Sequence, residues 1–250
     1  MMRVVFALIG LLFAGAAFAQ TADPCQVADG VLQPGFPLPH VTAAIEHKQL
    51  DIVVLGTMSS ALVGAGGNGK AYPARFEAML KEKLPDVAVR VVSYAKPRQT
   101  AQDMQKEIAP ILSRDKPALI VWQTGTGDAI RAIDPDAFST ALDEGVSAAQ
   151  AAGSDIVLMN MQYSPRTETM IALTAYLDVM RFVALQHEIN LFDRYAIMKY
   201  WNEVGTFDLS AATKRTDLAE RVHYCIGRLL AEFVLESAKL TTSDNKASPQ

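Results

Sequence analysis

The pattern of hydrophobic and polar positions along the chain alternates between short apolar runs and longer amphipathic segments. The apolar runs are short enough for buried strands and lie at 51–56, 89–93, 118–122, 155–161 and 190–193. Apolar residues at helical spacing predict helices over 40–48, 72–84, 100–112, 134–153, 168–188 and 217–239. Strands that are apolar throughout and alternate with helices indicate a parallel sheet covered on both faces. We therefore predict an α/β fold, a three-layer α/β/α sandwich with a five-stranded parallel sheet.

The first 19 residues have the pattern of an export signal. Arg3 supplies a small positive region, Val4 to Phe13 an apolar region, and Ala17-Phe18-Ala19 a small-residue cleavage site. The alternative is a buried first helix or a membrane anchor, for which the apolar run is short. The signal predicts cleavage after Ala19 and a periplasmic or secreted product with no transmembrane segment.

The remaining chain is predicted to divide into three parts. Residues 20–48 form a proline-containing N-terminal arm, residues 49–240 form the α/β domain, and residues 241–250 form a polar tail. A formal net charge of −4 without a basic cluster argues against nucleic acid as a partner.

The chain has two cysteines, Cys25 in the arm and Cys225 near the C-terminus. In an oxidising compartment they are able to form a disulfide that closes most of the chain, and the alternative is two free thiols. No cluster of Cys and His has the spacing of a metal site.

A glycine-containing stretch, 63–70, follows the first predicted strand. Such a stretch raises the possibility of a phosphate-binding loop. The spacings G-x-G-x-x-G and G-x-x-x-x-G-K-[ST] are both absent, which favours an ordinary mobile loop over a nucleotide site.

Three loops follow the carboxyl ends of predicted parallel strands, so they should meet at one edge of the sheet. In open α/β sheets, ligands bind beyond these strand ends. These loops are 56–60, 93–98 and 125–128, and the start of the last helix, 214–223, should join them. In order and spacing, the chain resembles the SGNH (GDSL-type) hydrolases, most closely their exported proteobacterial branch. The stretches that carry this resemblance are Val54-Leu55-Gly56, Ala71-Tyr72-Pro73-Ala74-Arg75-Phe76, Trp122-Gln123-Thr124-Gly125-Thr126, Val157-Leu158-Met159 with Gln162-Tyr163, and Cys225-Ile226-Gly227.

The resemblance implies the flavodoxin-like SGNH hydrolase fold and cleavage of acyl esters without a metal or cofactor. It also implies a Ser nucleophile after the first strand, a Gly and an Asn that complete the oxyanion hole, and an Asp-x-x-His pair before the last helix. A serine hydroxyl attacks poorly until a His accepts its proton, and the oxyanion donors must point at the developing charge.

The present sequence departs from the family at each of these positions. Met58 stands at the nucleophile position, Ala95 and Lys96 replace a glycine-rich turn, and Gly127 replaces the Asn. Lys214 and Asp217 stand where the Asp and His belong. Together these replacements predict a lost active site whose pocket is kept. The predicted pocket residues are Thr57, Met58, Ala95, Lys96, Gly127, Asp128, Lys214 and Asp217.

Three hypotheses of function remain open. In the first, an exported, non-catalytic member of the family binds an envelope glycan or an acyl ligand. In the second, the protein is an active esterase or acyltransferase that uses Ser59 and His223, with Glu220 orienting the His. In the third, the pocket is vestigial and the protein acts through its surface. Arg98, Lys96 and Arg131 are candidates for binding an anionic ligand or a glycan, against the alternative of ordinary surface charges.

Overall fold

A computed structural model describes residues 23–62, 66–210 and 216–240. Its centre is a parallel sheet with the strand order β2-β1-β3-β4-β5. The strands are β1 (Gln49–Gly56), β2 (Ala88–Ala95), β3 (Leu119–Gln123), β4 (Asp155–Met159) and β5 (Asn190–Phe192). This is the flavodoxin-like order, in which the direction of winding reverses between β1 and β3 and leaves a crevice at their carboxyl ends.

The described helices pack on both faces of the sheet. They are α1 (Pro39–Glu46), α2 (Gly67–Lys70), α3 (Tyr72–Lys83), α4 (Ala101–Asp115), α5 (Thr126–Ile130), α6 (Pro135–Ala151), α7 (Pro165–Met170), α8 (Thr174–Gln186), α9 (Arg194–Glu203) and α10 (Thr216–Lys239). One hydrophobic core contains residues of α1, α3, α9 and α10, and a second contains residues of α4, α6 and α8. The predicted three-layer α/β/α fold with five parallel strands is confirmed.

The strands formed where the apolar runs predicted them because both faces are covered. β3 and β4 are buried at every position. Helix starts follow local polar signals. Thr100 and Asp103 form a reciprocal capping box at α4, and the side chain of Asp134 caps α6 just before Pro135.

Several helix predictions were wrong. The predicted helix 168–188 is two helices, α7 and α8, because Ile171 is extended and ends α7. α9 was not predicted, although Asp193 caps it and Ile197 and Trp201 are buried at helical spacing. The short helices α2 and α5 lie in stretches that were predicted to be loops, and β4 ends at Met159 rather than at 161.

The N-terminal arm is fixed to the domain at several points. Cys25 and Cys225 form a disulfide, so the free-thiol alternative is excluded. The indole N–H of Trp201 donates to the carbonyl of Gln26 at 2.8 Å. The side chain of Asn190 bonds the backbone of residues 35 and 36. The arm is therefore part of the folded unit.

At the amino ends of the strands, Asp155 also fixes α1. Its carboxylate accepts the backbone N–H of Val41 at 2.8 Å, in the first turn of that helix. Burial raises the pKa of Asp155 to about 6.

No helix in the described ranges is long and apolar enough to cross a membrane. The predicted export signal, residues 1–19, and the predicted tail, residues 241–250, lie outside the described residues.

Candidate active site

The crevice between β1 and β3 is lined by a polar cluster built around the side chain of Gln123. Gln123 is the last residue of β3, and Oε1 of its amide lies 3.1 Å from the backbone nitrogen of Thr57. The same oxygen lies 3.1 Å from Thr57 Oγ1, 2.9 Å from Ser59 Oγ and 3.0 Å from Ser60 Oγ. Because the Thr57 N–H is only a donor, the amide oxygen, not its nitrogen, must face this loop.

Met58 is the first residue of the 3₁₀ helix Met58–Ser60 that follows β1, and it is 44% exposed. Together with Ser60 and Ala95 it lines a cavity of about 360 Å³ beside the crevice. The cavity continues along Ala71, Pro73 and Ala74 at the start of α3 and is largely apolar at that end. The position that the sequence analysis assigned to the nucleophile therefore presents a thioether to an accessible cavity.

His223 lies in α10 and is 7% exposed. Its Nδ1 accepts the backbone N–H of Tyr72 at 2.9 Å, which satisfies the first turn of α3. Burial, assisted by the charge of Arg194, lowers the pKa of His223 to about 3. The close approach depends on Gly227, one turn further along α10, because a Cβ there would collide with the backbone of α3 at Tyr72 and Phe76. His223 is thus a neutral imidazole that joins two helices.

Ser59 and Glu220, the predicted partners of His223 in an alternative active site, each bond to a different residue. Ser59 donates to Gln123, and no hydrogen bond between Ser59 and His223 occurs in the part of the chain that the structure describes. Glu220 forms an ion pair with Lys70 at 2.7 Å. Asp217 lies with Glu220 beside a separate cavity of about 380 Å³, and Lys214 lies outside the described residues.

The third loop forms α5, and its Gly127 is closely packed. A Cβ on Gly127 would collide with the backbone carbonyl of Gln99, in the loop before α4. The space that a side chain at position 127 would need is therefore filled by the main chain of a neighbouring loop.

Asp128 holds this arrangement together. It is 1% exposed, and its two carboxylate oxygens lie 3.0 and 3.1 Å from the backbone nitrogen of Ala101, the first residue of α4. Burial raises the pKa of Asp128. The Asp128 side chain thus fixes the start of α4 as well as the loop to which it belongs.

The candidate anion-binding residues Lys96 and Arg131 form contacts with neighbouring protein groups. The Lys96 ammonium pairs with Glu107 at 2.7 Å, and the Lys96 backbone N–H donates to the carbonyl of Gly56 at 3.1 Å. The Arg131 guanidinium donates to the backbone carbonyl of Arg98 at 2.7 Å. These contacts favour the interpretation of Lys96 and Arg131 as surface charges that fix loop conformations.

Arg194 is a residue of the crevice that the sequence did not reveal. It is the first residue of α9 and is 1% exposed, yet its guanidinium lies 3.4 Å from Ser59 Oγ and 3.1 Å from Gln162 Oε1. It also lies 5.6 Å from the centre of the Tyr72 ring. Arginine is mostly exposed in folded proteins, and no sequence signal marks this arginine as buried.

Among the residues that the structure describes, no group of three or more His, Cys, Asp or Glu is arranged to hold a metal ion. The groups available in this crevice are hydroxyls, amides, one neutral imidazole and one buried guanidinium.

The family is decided by a match that spans almost all of this structure. The model of the non-GDSL lipase-like family matches residues 24–240. The chain belongs to this family. No curated protein matches the sequence at a significant level.

Solved structures similar to this non-GDSL lipase-like chain include several esterases. TesA is 21% identical with a TM-score of 0.57, and the match covers 73% of this chain and 99% of TesA. A catalytic mutant of Axe2, an acetylxylan esterase from Geobacillus stearothermophilus, is 17% identical with a TM-score of 0.59, covering 74% and 94%. LAE5, an α/β hydrolase enzyme from the metagenome of Lake Arreo, Spain, is 20% identical with a TM-score of 0.59, covering 74% and 94%. At such identities the likeness concerns the fold, and the resemblance to SGNH hydrolases is confirmed at that level.

Proposed function

We propose that this non-GDSL lipase-like protein is an exported, non-hydrolytic member of the SGNH group that binds an acyl or glycan ligand in the crevice beside Met58. The observation that carries the proposal is the packing at Gly127. The position that holds the oxyanion-hole Asn in the related hydrolases has no room for a side chain, because the carbonyl of Gln99 fills the space.

Two further observations support the loss of hydrolysis. Met58 has no hydroxyl with which to attack a carbonyl. His223, the candidate base, uses Nδ1 to accept the Tyr72 N–H, and burial lowers its pKa to about 3. A general base works best with a pKa near the operating pH, so this imidazole is poorly matched to the task.

The alternative, an esterase that uses Ser59 and His223, has less support. The Ser59 hydroxyl donates to the amide oxygen of Gln123, which cannot accept a proton as a base does. An activated serine instead needs a base within hydrogen-bonding distance, itself oriented by a third group.

An esterase assay tests the proposal. We expect purified protein to hydrolyse p-nitrophenyl acetate and p-nitrophenyl butyrate no faster than buffer, and the Ser59→Ala and His223→Asn variants to behave identically. Turnover above background that Ser59→Ala abolishes would contradict the proposal and establish the alternative.

Ligand binding is tested separately by thermal unfolding with two classes of probe. One is a series of short acyl esters, matched to the apolar side chains of Met58, Ala71 and Ala95 in the cavity wall. The other is acetylated xylo-oligosaccharides, suggested by the acetylxylan esterase with the same fold. We expect one class to raise the melting temperature of the wild type and to lose that effect in Met58→Lys, which places a charge in the cavity. No shift with either class would favour the third hypothesis, a protein that acts through its surface.

Export is supported by the disulfide between Cys25 and Cys225, since such bonds persist mainly in oxidising compartments. We expect cell fractionation to find the protein in the periplasm or medium, with a mature chain that begins at Gln20. Retention in the cytoplasm with an intact N-terminus would contradict this part of the proposal.

A further inference from the structure

Arg194 is a buried cation that has no counter-ion within the described ranges. Its described contacts are two neutral oxygens, those of Ser59 and Gln162, and the face of the Tyr72 ring, while its Nε is buried without a partner. The neighbouring Asp193 is directed elsewhere, to Arg181, Asn160 and the N–H of Ala196.

No acidic residue of the described ranges forms an ion pair with this guanidinium. The two internal ranges outside the described part, 63–65 and 211–215, contain no Asp or Glu at all. Burial lowers the pKa of Arg194 to about 10, which leaves the group protonated at neutral pH. Among the described residues, this positive charge therefore lies beneath the crevice without a compensating carboxylate.

An uncompensated buried charge destabilises the folded state, because the group loses its hydration without gaining an ion pair. A bound anion removes much of that destabilisation. The geometry points to Arg194 as the binding site for the carboxylate group of the ligand, with Ser59 as a second donor. This inference names the ligand chemistry of the site under Proposed function and rests on that function.

The charges of the site match a ligand group with one negative charge. The guanidinium matches a carboxylate in shape and is able to donate two parallel N–H bonds to it. His223 is neutral, so no second cation of the described cluster would balance a phosphate dianion. Buried Nε2 of Gln123 is a further donor without a partner in the same cluster.

A ligand would reach the guanidinium by displacing the side chains of Ser59 and Gln162. Ser59 and Gln162, which contact Arg194, are both partly exposed. The contact from Nη1 to Ser59 Oγ is long, at 3.4 Å, and therefore weak. A carboxylate oxygen would replace it with a shorter, charge-assisted bond, and the Ser59 hydroxyl would turn from Gln123 to the ligand.

The test compares an acid with its neutral isostere. Titrations of the mature protein with hexanoate and with hexanamide are followed by calorimetry and by the shift in melting temperature. We expect hexanoate to bind and to raise the melting temperature, and hexanamide to bind at least about tenfold more weakly, as the loss of a charge-assisted pair predicts. Inorganic phosphate is titrated in parallel and should bind more weakly than hexanoate.

Variants assign the effect to the site. Arg194→Gln should abolish the preference for hexanoate, and Ser59→Ala, at a partly exposed position, should reduce it several-fold while the protein stays folded. Arg166→Gln, at an exposed position on α7, is the matched control and should leave both titrations unchanged. If Arg194→Gln does not fold, the Ser59→Ala titration decides the outcome.

Each contrary outcome is informative. Equal binding of hexanoate and hexanamide, or stronger binding of phosphate, would overturn the carboxylate assignment and leave the proposed binding function standing. A hexanoate preference that survives both site variants, or no binding of any probe, would overturn it too. Esterase turnover would instead overturn the non-hydrolytic function, and the titrations of hexanoate, which has no ester to cleave, would still report on Arg194.

Discussion

At the scale of single residues, Gly127 shows why the hydrolase chemistry that the family resemblance implies would be hard to build into this chain. Returning a serine to position 58 and an asparagine to position 127 would supply two of the missing groups. The asparagine, however, would drive its Cβ into the carbonyl of Gln99, a backbone atom that moves only with its loop.

We therefore expect Gly127→Asn to destabilise the protein by about 1–3 kcal/mol, the usual cost of overpacking, and the Met58→Ser/Gly127→Asn double variant to show no esterase activity. Urea unfolding and the p-nitrophenyl butyrate assay measure the two effects. A double variant as stable as the wild type would mean that the loop before α4 yields easily.

His223 predicts a pH dependence of stability. The folded protein keeps this imidazole neutral down to about pH 3, whereas the unfolded chain protonates it near 6.5. The unfolded chain therefore binds more protons in that window, so the free energy of unfolding should fall as the pH is lowered through it. The limiting slope for one such group is about 1.4 kcal/mol per pH unit.

His223→Asn isolates this effect, because an amide oxygen is able to accept the Tyr72 N–H without titrating. The comparison is needed because Asp155 acts in the opposite direction. Its folded pKa is raised to about 6 from 3.8, so its contribution to stability grows as the pH falls between these values. Urea unfolding from pH 7 to 4 should show a smaller loss in the variant than in the wild type, and parallel losses would refute the assignment to His223.

At the scale of elements, the sequence predicted what burial dictates. β3 and β4 are apolar at almost every position because both faces are covered, and their positions were predicted to within two residues. The interruption between α7 and α8 was missed because Ile171 is not a helix-breaking residue type and carries no local signal. Met58 and the replaced positions were visible because they depart from a family pattern. The sequence did not reveal that Arg194 is buried away from acidic side chains of the described ranges, because only the folded structure shows which residues surround it.

The start of α4 depends on a side chain from another element, Asp128 of α5. We expect Asp128→Ala to leave the Ala101 N–H unsatisfied and to cost about 1–3 kcal/mol. Asp128→Asn keeps an acceptor oxygen and removes a buried charge, so its cost should be smaller. Thermal unfolding of both variants checks the order, and equal losses would show that the negative charge itself matters.

At the scale of the whole molecule, the disulfide joins residues 200 positions apart. Loop-closure entropy predicts that it stabilises the folded state by about 5 kcal/mol, because it restricts most of the unfolded chain. The double variant Cys25→Ala/Cys225→Ala should lose stability of this order in urea unfolding. Arg228→Gln, which removes the nearby ion pair to Asp23, is a control that should lose far less. A loss below 1 kcal/mol would mean that the unfolded state remains compact without the bond.

The same bond has a consequence for the order of events in biosynthesis. Cys25 and Cys225 lie 200 positions apart, so a nascent chain lacks one of the two thiols until the intervening residues have been synthesised. In a reducing compartment the finished chain would still lack the covalent restraint. A polypeptide that reaches its full stability only after oxidation stays easier to unfold while it is reduced. Under the proposed export, the reduced chain would therefore be easier to thread through a translocation pore than the oxidised one.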